Sequence, residues 1–372
     1  MHDRTTNDQG DGKYIPDLSP EFEFEKFGII SDDIISEAEQ LARRNVEASE
    51  NKGLFTIKSA NRWIDQAKNR PIPQKLFGEF WFEFELCILF ADTNLGKSIL
   101  AVQIGDSISK GVPIRGFPSE VEKQPILYFD FELSDKQFEN RYSENYEQHY
   151  HFDDNFYRVE INPCAEVPEN QTFEDYLNYS LEKSIIETGA KILIIDNLTY
   201  LKDGTETARD ALPLMKYLIA LKSRYGISIL ALAHTPKIDP FKPITKNHLQ
   251  GSKMLINFCD SSFAIGESNQ DKNVRYIKQI KVRQTEKKYE TDNVCVCQIE
   301  KSGNFLQFEF LGFSSELDHL KQLTENDKKQ ILTEVMEMKK KGVSNIEIAR
   351  RYSVSEGAIR KWIKKADNTE TL

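Results

Sequence analysis

Short apolar runs alternate with helical segments between Glu85 and Ala233, and this alternation restricts the folds open to the chain. The runs predicted as strands are ELCILFA, PILYFDFE, FYRVEIN, KILIIDNL and ISILALA. Runs as continuously apolar as ILIID and ISILALA suit strands that are covered on both faces. Strands separated by helices in this way predict an α/β fold with a mostly parallel, doubly wound sheet.

The rhythm changes after Gly251. The runs SSFAIGE, VRYIKQIKVR, NVCVCQIE and FLQFEFLGF are joined by short connections, which predicts an antiparallel extension of the sheet. Among the predicted helices are Lys97 to Lys110, the segment SDKQFENRYSENYEQ, and two helices that end at Gly189 and Gly226.

Changes in composition divide the chain into predicted segments. These are a disordered tail at 1–20, a helical arm at 21–74, the α/β domain at 75–313, a polar linker at 314–326, a helical domain at 327–366 and a tail at 367–372. The stretch RPIPQKLFGEFWFEFE is rich in proline and aromatic residues. It either docks on a neighbouring subunit or packs on its own domain, and the sequence favours neither.

Charge is unevenly distributed along the chain. The 372 residues carry a net charge of −10, which argues against a uniformly basic surface for nucleic acid. Between Lys321 and Lys365, however, there are twelve Lys or Arg and six Asp or Glu, so a basic C-terminal segment follows an acidic body. Because no apolar run approaches the ~18 residues of a membrane span and the N-terminus is polar, we expect a cytoplasmic protein.

A predicted phosphate-binding loop lies in FADTNLGKSIL, between a strand and a helix. The chain fits the pattern G-x-x-x-x-G-K-[ST] except at the first position, where the pattern requires Gly and the chain has Ala91. If Ala91 had to be left-handed the cost would be about 1–2 kcal/mol, which phosphate contacts of about 1.5–3 kcal/mol each outweigh. Gly96 allows close approach, Lys97 supplies charge and Ser98 can bind Mg²⁺. The predicted nucleotide contacts are Ala91, Asp92, Thr93, Asn94, Leu95, Gly96, Lys97, Ser98 and Ile99.

Carboxylates end two further strands. Asp196 closes ILIID, where a carboxylate can hold Mg²⁺ together with Ser98. Glu132 follows ILYFDF and can polarise the attacking water. Asp130, two residues earlier, is a rival for that role.

Three basic side chains complete the candidate site. His234 ends the strand ISILALAH and can sense the γ-phosphate, although a histidine in this place is often structural. Lys281 and Arg283 lie two residues apart, on one face of a predicted strand. They are either a pair of cations that binds an anion or the charged residues of a solvated strand edge.

These motifs together resemble the RecA/DnaB-like P-loop ATPases. Gly96-Lys97-Ser98, DFE at 130–132, ILIIDN at 192–197, ALAHTPK at 231–237 and the K-x-R at 281–283 follow the order of that family over residues 75–313. The pattern is most similar to RepA-type plasmid replication helicases and RepA-like ATPases of bacterial mobile elements. The resemblance implies ATP and Mg²⁺ as cofactors, Glu132 as catalytic base and His234 as sensor. It also implies that Lys281 and Arg283 reach the nucleotide of an adjacent subunit in a ring.

The segment TPKIDPFKPITKNHLQG is a predicted nucleic-acid loop, since the resembled family places such a loop at a central channel. It carries Lys237, Lys242 and Lys246, which suit contact with phosphates regardless of sequence. An ordinary solvated loop is the alternative. The segment TYLKDGTETARD is a second candidate.

The C-terminal run SNIEIARRYSVSEGAIRKWIKK predicts a helix-turn-helix. A small Ala349 is followed ten and thirteen residues later by Ile359 and Trp362, with a turn around Ser353. The pattern resembles the DNA-binding ends of resolvases and invertases, with Ser353 in place of the usual Gly. A three-helix protein-docking module is the alternative. The predicted DNA contacts are Ser355, Arg360, Lys361 and Lys364.

Taken together, these features predict a DNA-dependent ATPase that works as a ring-forming, helicase-like motor. We expect it to be a homo-oligomer, namely a hexamer, that takes part in the replication or mobilisation of plasmid or mobile-element DNA. A DNA-binding regulator that uses ATP as a switch is the main alternative. A P-loop phosphotransferase fits less well, because the chain shows no acceptor-site lid.

Overall fold

The computed structural model describes residues 55–201, 208–235, 238–249, 253–322, 325–352 and 354–369. The predicted tail at 1–20 and most of the predicted arm lie outside these residues. The chain divides into a unit that ends at Arg70 and a unit that begins at Pro71. In the first unit, helix α1 spans Ala60–Lys68, is capped by the Ser59 side chain and buries none of its residues.

The second unit is built on a nine-stranded sheet. Its strand order is β13-β12-β11-β10-β3-β9-β8-β4-β7. Neighbours from β10 to β7 pair in parallel, and β10 to β13 form an antiparallel extension. The strands, with two hairpins outside this sheet, are β1 (Lys75–Phe77), β2 (Trp81–Phe82), β3 (Leu86–Ala91), β4 (Ile126–Asp130), β5 (Ser143–Glu144), β6 (Gln148–His149), β7 (Phe156–Val159), β8 (Ile192–Asp196), β9 (Ser228–His234), β10 (Ser261–Glu267), β11 (Val274–Lys281), β12 (Val294–Ser302) and β13 (Phe305–Ser314).

Helices cover both faces of the parallel strands. Successive residues of β3 alternate between two apolar clusters. Ile88 lies in the cluster that contains residues of the helices α4 (Phe173–Thr188) and α6 (Ala208–Tyr225), and Leu89 lies in the cluster that contains residues of α2 (Lys97–Lys110). The predicted α/β fold with a mostly parallel sheet and an antiparallel extension is therefore confirmed. The helices of this part are α2 (Lys97–Lys110), α3 (Asp135–Arg141), α4 (Phe173–Thr188), α5 (Leu198–Leu201), α6 (Ala208–Tyr225) and α7 (Lys253–Phe258).

Helix boundaries agree with the sequence in most places. The segment 97–110 is helical as predicted, and Gly189 and Gly226 follow α4 and α6 in left-handed conformation. The prediction of one helix through SDKQFENRYSENYEQ is wrong, because α3 ends at Arg141 and a small hairpin of β5 and β6 follows. The burial of Tyr142 among aromatic rings favours this turn over a longer helix.

The proline- and aromatic-rich stretch before β3 and part of the predicted polar linker both pack into the α/β domain. In the stretch RPIPQKLFGEFWFEFE, five apolar side chains are buried in the domain's own core, which supports packing on its own domain: Leu76, Phe77, Phe80, Trp81 and Phe82. Within the predicted linker, Glu316 is fully buried and forms an ion pair with Lys278 at 2.5 Å. This part of 314–326 is therefore anchored to the sheet and is not a solvated connection.

Three C-terminal helices form a small cluster of their own. They are α8 (Glu325–Lys340), α9 (Asn345–Arg351) and α10 (Glu356–Thr369). Val335, Ile348, Ala349 and Ile359 are buried between them, with Trp362 packed against this cluster. The predicted small residue and its two apolar partners thus meet at one crossing.

Within the described ranges, no helix is both long and apolar enough to cross a membrane.

Candidate nucleotide-binding site

The phosphate loop explains how this chain tolerates Ala91. Ala91 is the last residue of β3 and pairs with His234 on β9, so it has the extended conformation of a strand. The left-handed residues of the loop are Asn94, with φ 63°, and Gly96, with φ 92°. Because the strain falls on Asn94 and Gly96, an alanine at the first position carries no left-handed penalty.

Gly96 is required for two independent reasons. Its left-handed conformation disfavours any side chain. In addition, a Cβ at this position would lie 2.8 Å from Ile299 Cδ1 and 2.9 Å from Phe308 Cε2. The antiparallel strands β12 and β13 therefore pack so closely on the start of α2 that a side chain at this position would have to displace Ile299 or Phe308.

Lys97 begins α2 and is buried beneath the loop. Its Nζ donates hydrogen bonds to the backbone oxygens of Ala91 and Asp92, each at 3.0 Å. Burial lowers the pKa of Lys97, while the charges of Asp196 and Glu132 act in the opposite direction. The ammonium group is thus held at the loop, close to the two carboxylates.

Asp196 ends β8 and is fully buried. Its carboxylate accepts a hydrogen bond from Tyr128 Oη at 2.8 Å, and a hydrogen bond with Ser98 favours the charged form. Burial raises the pKa of Asp196 to about 6. A buried carboxylate beside a serine hydroxyl, with no lysine or arginine paired to it in the described part of the chain, suits a divalent cation. Ser98 and Asp196 therefore fit the role of Mg²⁺ ligands.

Asp130 and Glu132, the two rivals for the role of base, have different surroundings. One oxygen of Asp130 accepts hydrogen bonds from the backbone N–H groups of Glu132 and Leu133. The other oxygen accepts a hydrogen bond from Arg158 Nε at 2.9 Å. All of this buried carboxylate is used to hold the turn after β4. Glu132 is 41% exposed in its side chain and open to the site. The geometry favours Glu132.

Asn197 is the site residue that sequence reasoning missed. It follows Asp196 through a cis peptide bond and is buried. Its Nδ2 donates to Glu132 Oε1 and lies 3.0 Å from His234 Nε2, which is itself 3.3 Å from Glu132 Oε1. Asn197 thus joins the candidate base to the candidate sensor. Asn197 stands in the motif ILIIDN, but its contacts are made with Glu132 and His234, which are distant in sequence, so the local pattern assigned it no role.

Lys281 and Arg283 lie at the opposite edge of the sheet. Lys281 Nζ binds the backbone oxygens of Ile256 and Cys259, at 2.5 and 2.6 Å, near the end of α7. Arg283 pairs with Asp260 at 3.0 Å, and Asp260 in turn accepts from the backbone N–H of Leu86 at the start of β3. The pair is therefore level with the beginning of β3, whereas the phosphate loop follows its end.

The described part of the predicted nucleic-acid loop is held against the domain. Lys278 Nζ donates a hydrogen bond to the backbone oxygen of Ile244 at 2.9 Å. The backbone N–H of Ile244 donates a hydrogen bond to the Glu316 carboxylate. Lys242 forms an ion pair with Asp239 at 3.3 Å, whereas Lys246 is exposed. Lys237 lies outside the described residues.

The predicted DNA contacts of the C-terminal helices lie on or next to α10. Ser355 accepts from the backbone N–H of Ala358 and so caps this helix. Arg360 pairs with Glu356 at 2.7 Å, and Lys361 and Lys364 are exposed. Ser353, at the predicted turn, is outside the described residues.

A cleft of about 670 Å³ lies beside the phosphate loop. Its walls include 92–95 of the loop, the turn between β10 and β11, and 319–321. Buried His319 lines this cleft; Ser268 binds its Nδ1 at 2.8 Å, and its Nε2 has no hydrogen-bond partner among the described residues. The volume is typical of small-molecule sites.

The fold and the site define the class of protein. The phosphate loop follows β3, Asp196 ends β8 and Glu132 follows β4, all at the carboxyl ends of parallel strands. This arrangement is that of a RecA-like P-loop fold. Residues 56–239 match the family model described as the AAA domain. No curated protein matches the chain. The family match supports an ATPase domain that binds and hydrolyses nucleotide.

Proposed function

We propose that the protein is a DNA-dependent ATPase that works as a ring-forming motor, similar to replicative helicases of the RepA type, in plasmid or mobile-element replication. The observation that carries the proposal is the convergence of Lys97, Asp196, Glu132 and His234 at the carboxyl ends of neighbouring strands. In such sheets ligands bind outside these strand ends.

The geometry supports hydrolysis by an activated water. Glu132 accepts a proton from the water while the water oxygen forms a bond to the γ-phosphorus. The bond between that phosphorus and the leaving ADP oxygen breaks in the same step. Lys97 offsets the charge on the phosphates, and His234 lies beside Glu132 to contact the γ-phosphate. Mg²⁺ held by Ser98 and Asp196 would neutralise further phosphate charge.

The direction of the bound nucleotide follows from these positions. The γ-phosphate must lie near Glu132 and His234, so the nucleoside extends to the other side of the phosphate loop. The cleft lined by 92–95 and His319 lies beside this loop and has the volume for a base and ribose. We therefore assign ATP, with its nucleoside in this cleft, as the substrate.

The positions of Lys281 and Arg283 favour action on a second copy of the chain. Arg283 is level with Leu86, and the five residue steps of β3 from there to Ala91 span about 16 Å. That is too far for contact with the protein's own γ-phosphate. A neighbouring subunit in a ring would bring its nucleotide to this edge, which fits a homo-oligomer such as a hexamer.

Two surfaces suit DNA. Exposed Lys246, together with Lys237 and Lys242, provides charge for single-stranded DNA in the channel of a ring. In the C-terminal helices, Arg360, Lys361 and Lys364 give α10 a basic surface suited to duplex DNA, with Ser355 at its start.

The test is ATP hydrolysis with and without single-stranded DNA, followed by strand displacement on forked substrates. We expect DNA to stimulate turnover, ATP to drive strand separation, and Lys97→Ala to abolish both. Lack of ATP hydrolysis by the wild-type protein under all these conditions would overturn the proposal.

A second candidate is a DNA-binding regulator switched by ATP. The basic α10 favours it, since a helix-turn-helix commonly reads a duplex site. Tight duplex binding that Lys361→Ala and Lys364→Ala weaken, together with slow turnover and no strand displacement, would support this candidate over a motor.

A further inference from the structure

A buried ion pair fixes the nucleic-acid loop that follows β9. Lys278, on β11, and Glu316 bind each other at 2.5 Å, and their side chains are 8% and 0% exposed. The backbone N–H of Ile244 donates a hydrogen bond to Glu316 Oε1 at 2.7 Å, and the backbone oxygen of Ile244 accepts one from Lys278 Nζ at 2.9 Å. Both backbone polar groups of one loop residue are therefore held by the same ion pair.

The hydrogen-bonding capacity of this pair is used in full. Lys278 Nζ has three protons, and it donates to Ile244, to Glu316 and to Thr291 Oγ1, the last at 2.9 Å. Glu316 uses one carboxylate oxygen for Lys278 and the other for Ile244. A buried ion pair adds little net stability, because desolvation offsets the attraction. A fully satisfied buried network does restrict the segments that carry it to one arrangement.

The pair joins the loop to the connector, which we define as residues 315–321 between β13 and α8. The connector also contacts the loop directly. The backbone N–H of Lys321 donates to the backbone oxygen of Pro240 at 2.9 Å, and Lys321 Nζ lies 5.5 Å from the ring centroid of Phe241. Because α8 begins at Glu325, four residues after Lys321, the chain between them spans at most about 14 Å. The C-terminal helices are thus tethered close to the loop.

We propose that Lys278 and Glu316 are positioning residues that couple the two surfaces proposed for DNA. Through this pair the loop, which carries Lys242 and Lys246, moves together with the connector to the C-terminal helices. Duplex DNA on α10 restricts the C-terminal helices and hence the connector, so the loop is held in the arrangement that binds single-stranded DNA. The proposal rests on the proposed function, which assigns both surfaces, and adds the contact through which one acts on the other.

The experiment measures the Kd of a labelled oligothymidylate by fluorescence anisotropy, with and without a saturating blunt duplex of mixed sequence. In the wild type we expect the duplex to lower this Kd about tenfold, which is a usual size for coupled sites. The double variant Lys278→Met/Glu316→Met replaces both charges with apolar side chains, so it retains the fold. Ile244 loses both partners in this variant, and we expect the ratio of the two Kd values to fall to about one.

Exchange of the two charges separates position from charge. Lys278→Glu/Glu316→Lys keeps a pair of opposite charges, but it places a carboxylate against the backbone oxygen of Ile244 and an ammonium against its N–H. We expect coupling to be lost here as well. Thr291→Val is the mild variant, because it removes one of three partners of Lys278 without a change of charge. We expect its ratio to fall to about three.

Two controls and a second readout identify a merely structural role. Asp106→Met/Lys110→Met removes a mostly buried ion pair on α2, at 2.9 Å, and should keep the wild-type ratio. Lys361→Ala/Lys364→Ala should abolish the effect of the duplex, since it weakens the duplex surface. DNA-free kcat for ATP should stay at the wild-type value in the Met variant of the positioning pair, because the groups that act on ATP remain. General damage to the fold would lower it.

The outcomes that would overturn the proposal are distinct from failure of the proposed function. A wild-type ratio in the Met variant of the positioning pair, or in both the charge exchange and Thr291→Val, would overturn it. A ratio of one in a wild type that binds both DNAs would overturn this inference alone. A wild type that binds neither DNA would overturn the proposed function, and this inference with it.

Discussion

The carboxyl ends and the amino ends of the parallel strands form two edges of the sheet that differ in how their charged side chains are paired. At the carboxyl edge, Asp196 is buried without a paired lysine or arginine among the described residues, and Lys97 is bound by backbone oxygens. At the other edge, Asp260 binds both Lys222, at 2.6 Å, and Arg283, at 3.0 Å. The first edge is short of counter-charges and suits a charged ligand. The second is electrostatically satisfied within the chain.

This difference teaches how similar residue types acquire different roles. Burial makes an isolated carboxylate costly, and proteins retain such groups where a ligand compensates for them. An ion pair that is half exposed adds little to stability and can be exchanged for another partner at little cost. The carboxyl edge is thus suited to a charged ligand, and the exposed Arg283 at the far edge is the group that we propose for contact with an adjacent subunit.

The strongest test of this comparison is Glu132→Gln. We expect kcat for ATP to fall about a thousandfold, since the general base is lost, while ATP binding and stability stay close to wild type. Asp130→Asn is the matched control: it weakens the contact with Arg158 and lowers stability, but the folded variant should retain turnover. Unchanged hydrolysis in Glu132→Gln would remove Glu132 from the role of base.

Asp196→Asn tests the unpaired charge at the carboxyl edge. The folded pKa of about 6 exceeds the usual 3.8, so this carboxyl destabilises the folded state increasingly as pH rises from about 4 to 6. We expect the variant without nucleotide to unfold in urea with about 3 kcal/mol more stability at pH 8. This gain should shrink below pH 6, and Mg²⁺-dependent turnover should be lost. A less stable variant at pH 8 would contradict the account.

Arg283→Ala tests the far edge. The Arg283 side chain is half exposed, and Asp260 keeps its ion pair with Lys222, so we expect less than about 1 kcal/mol of lost stability. We expect kcat to be about a hundredfold lower in the assembled protein. Mixing this variant with Lys97→Ala should restore activity, because one copy supplies an intact phosphate loop and the other an intact Arg283. Full activity of Arg283→Ala alone, or no recovery on mixing, would contradict action between subunits.

The smallest effects distinguish two positions of the phosphate loop. Gly96→Ala places a side chain in a left-handed position and against Ile299, so it should lower the free energy of unfolding by about 2 kcal/mol. Ala91→Gly should change it by less than about 1 kcal/mol, because Ala91 is extended. Chemical denaturation of both variants measures this difference. Equal losses would show that the two positions carry the same backbone constraint.

Much of the fold could be predicted from local pattern. Helix 97–110 was predicted with the bounds that the structure has, because an apolar strand, a glycine turn and an apolar helix face coincide there. The end of α3 at Arg141 could not be predicted, because the contacts of Tyr142 that favour a turn there come from Phe152 and Phe305, which are distant in sequence. Glu316 looked like part of a polar linker, since its buried partner Lys278 lies on β11, far away in the sequence.

The sequence alone determined the order of elements and the chemical type of the candidate site, because strand and helix periods and the Gly96-Lys97-Ser98 turn are local properties of the chain. Tertiary structure decided which groups meet. It tied Asp130 to Arg158, joined Asn197 to Glu132 and His234, and placed Arg283 a strand's length from the phosphate loop. The physical reason is that hydrogen bonds and burial depend on neighbours distant in sequence, which no local pattern specifies.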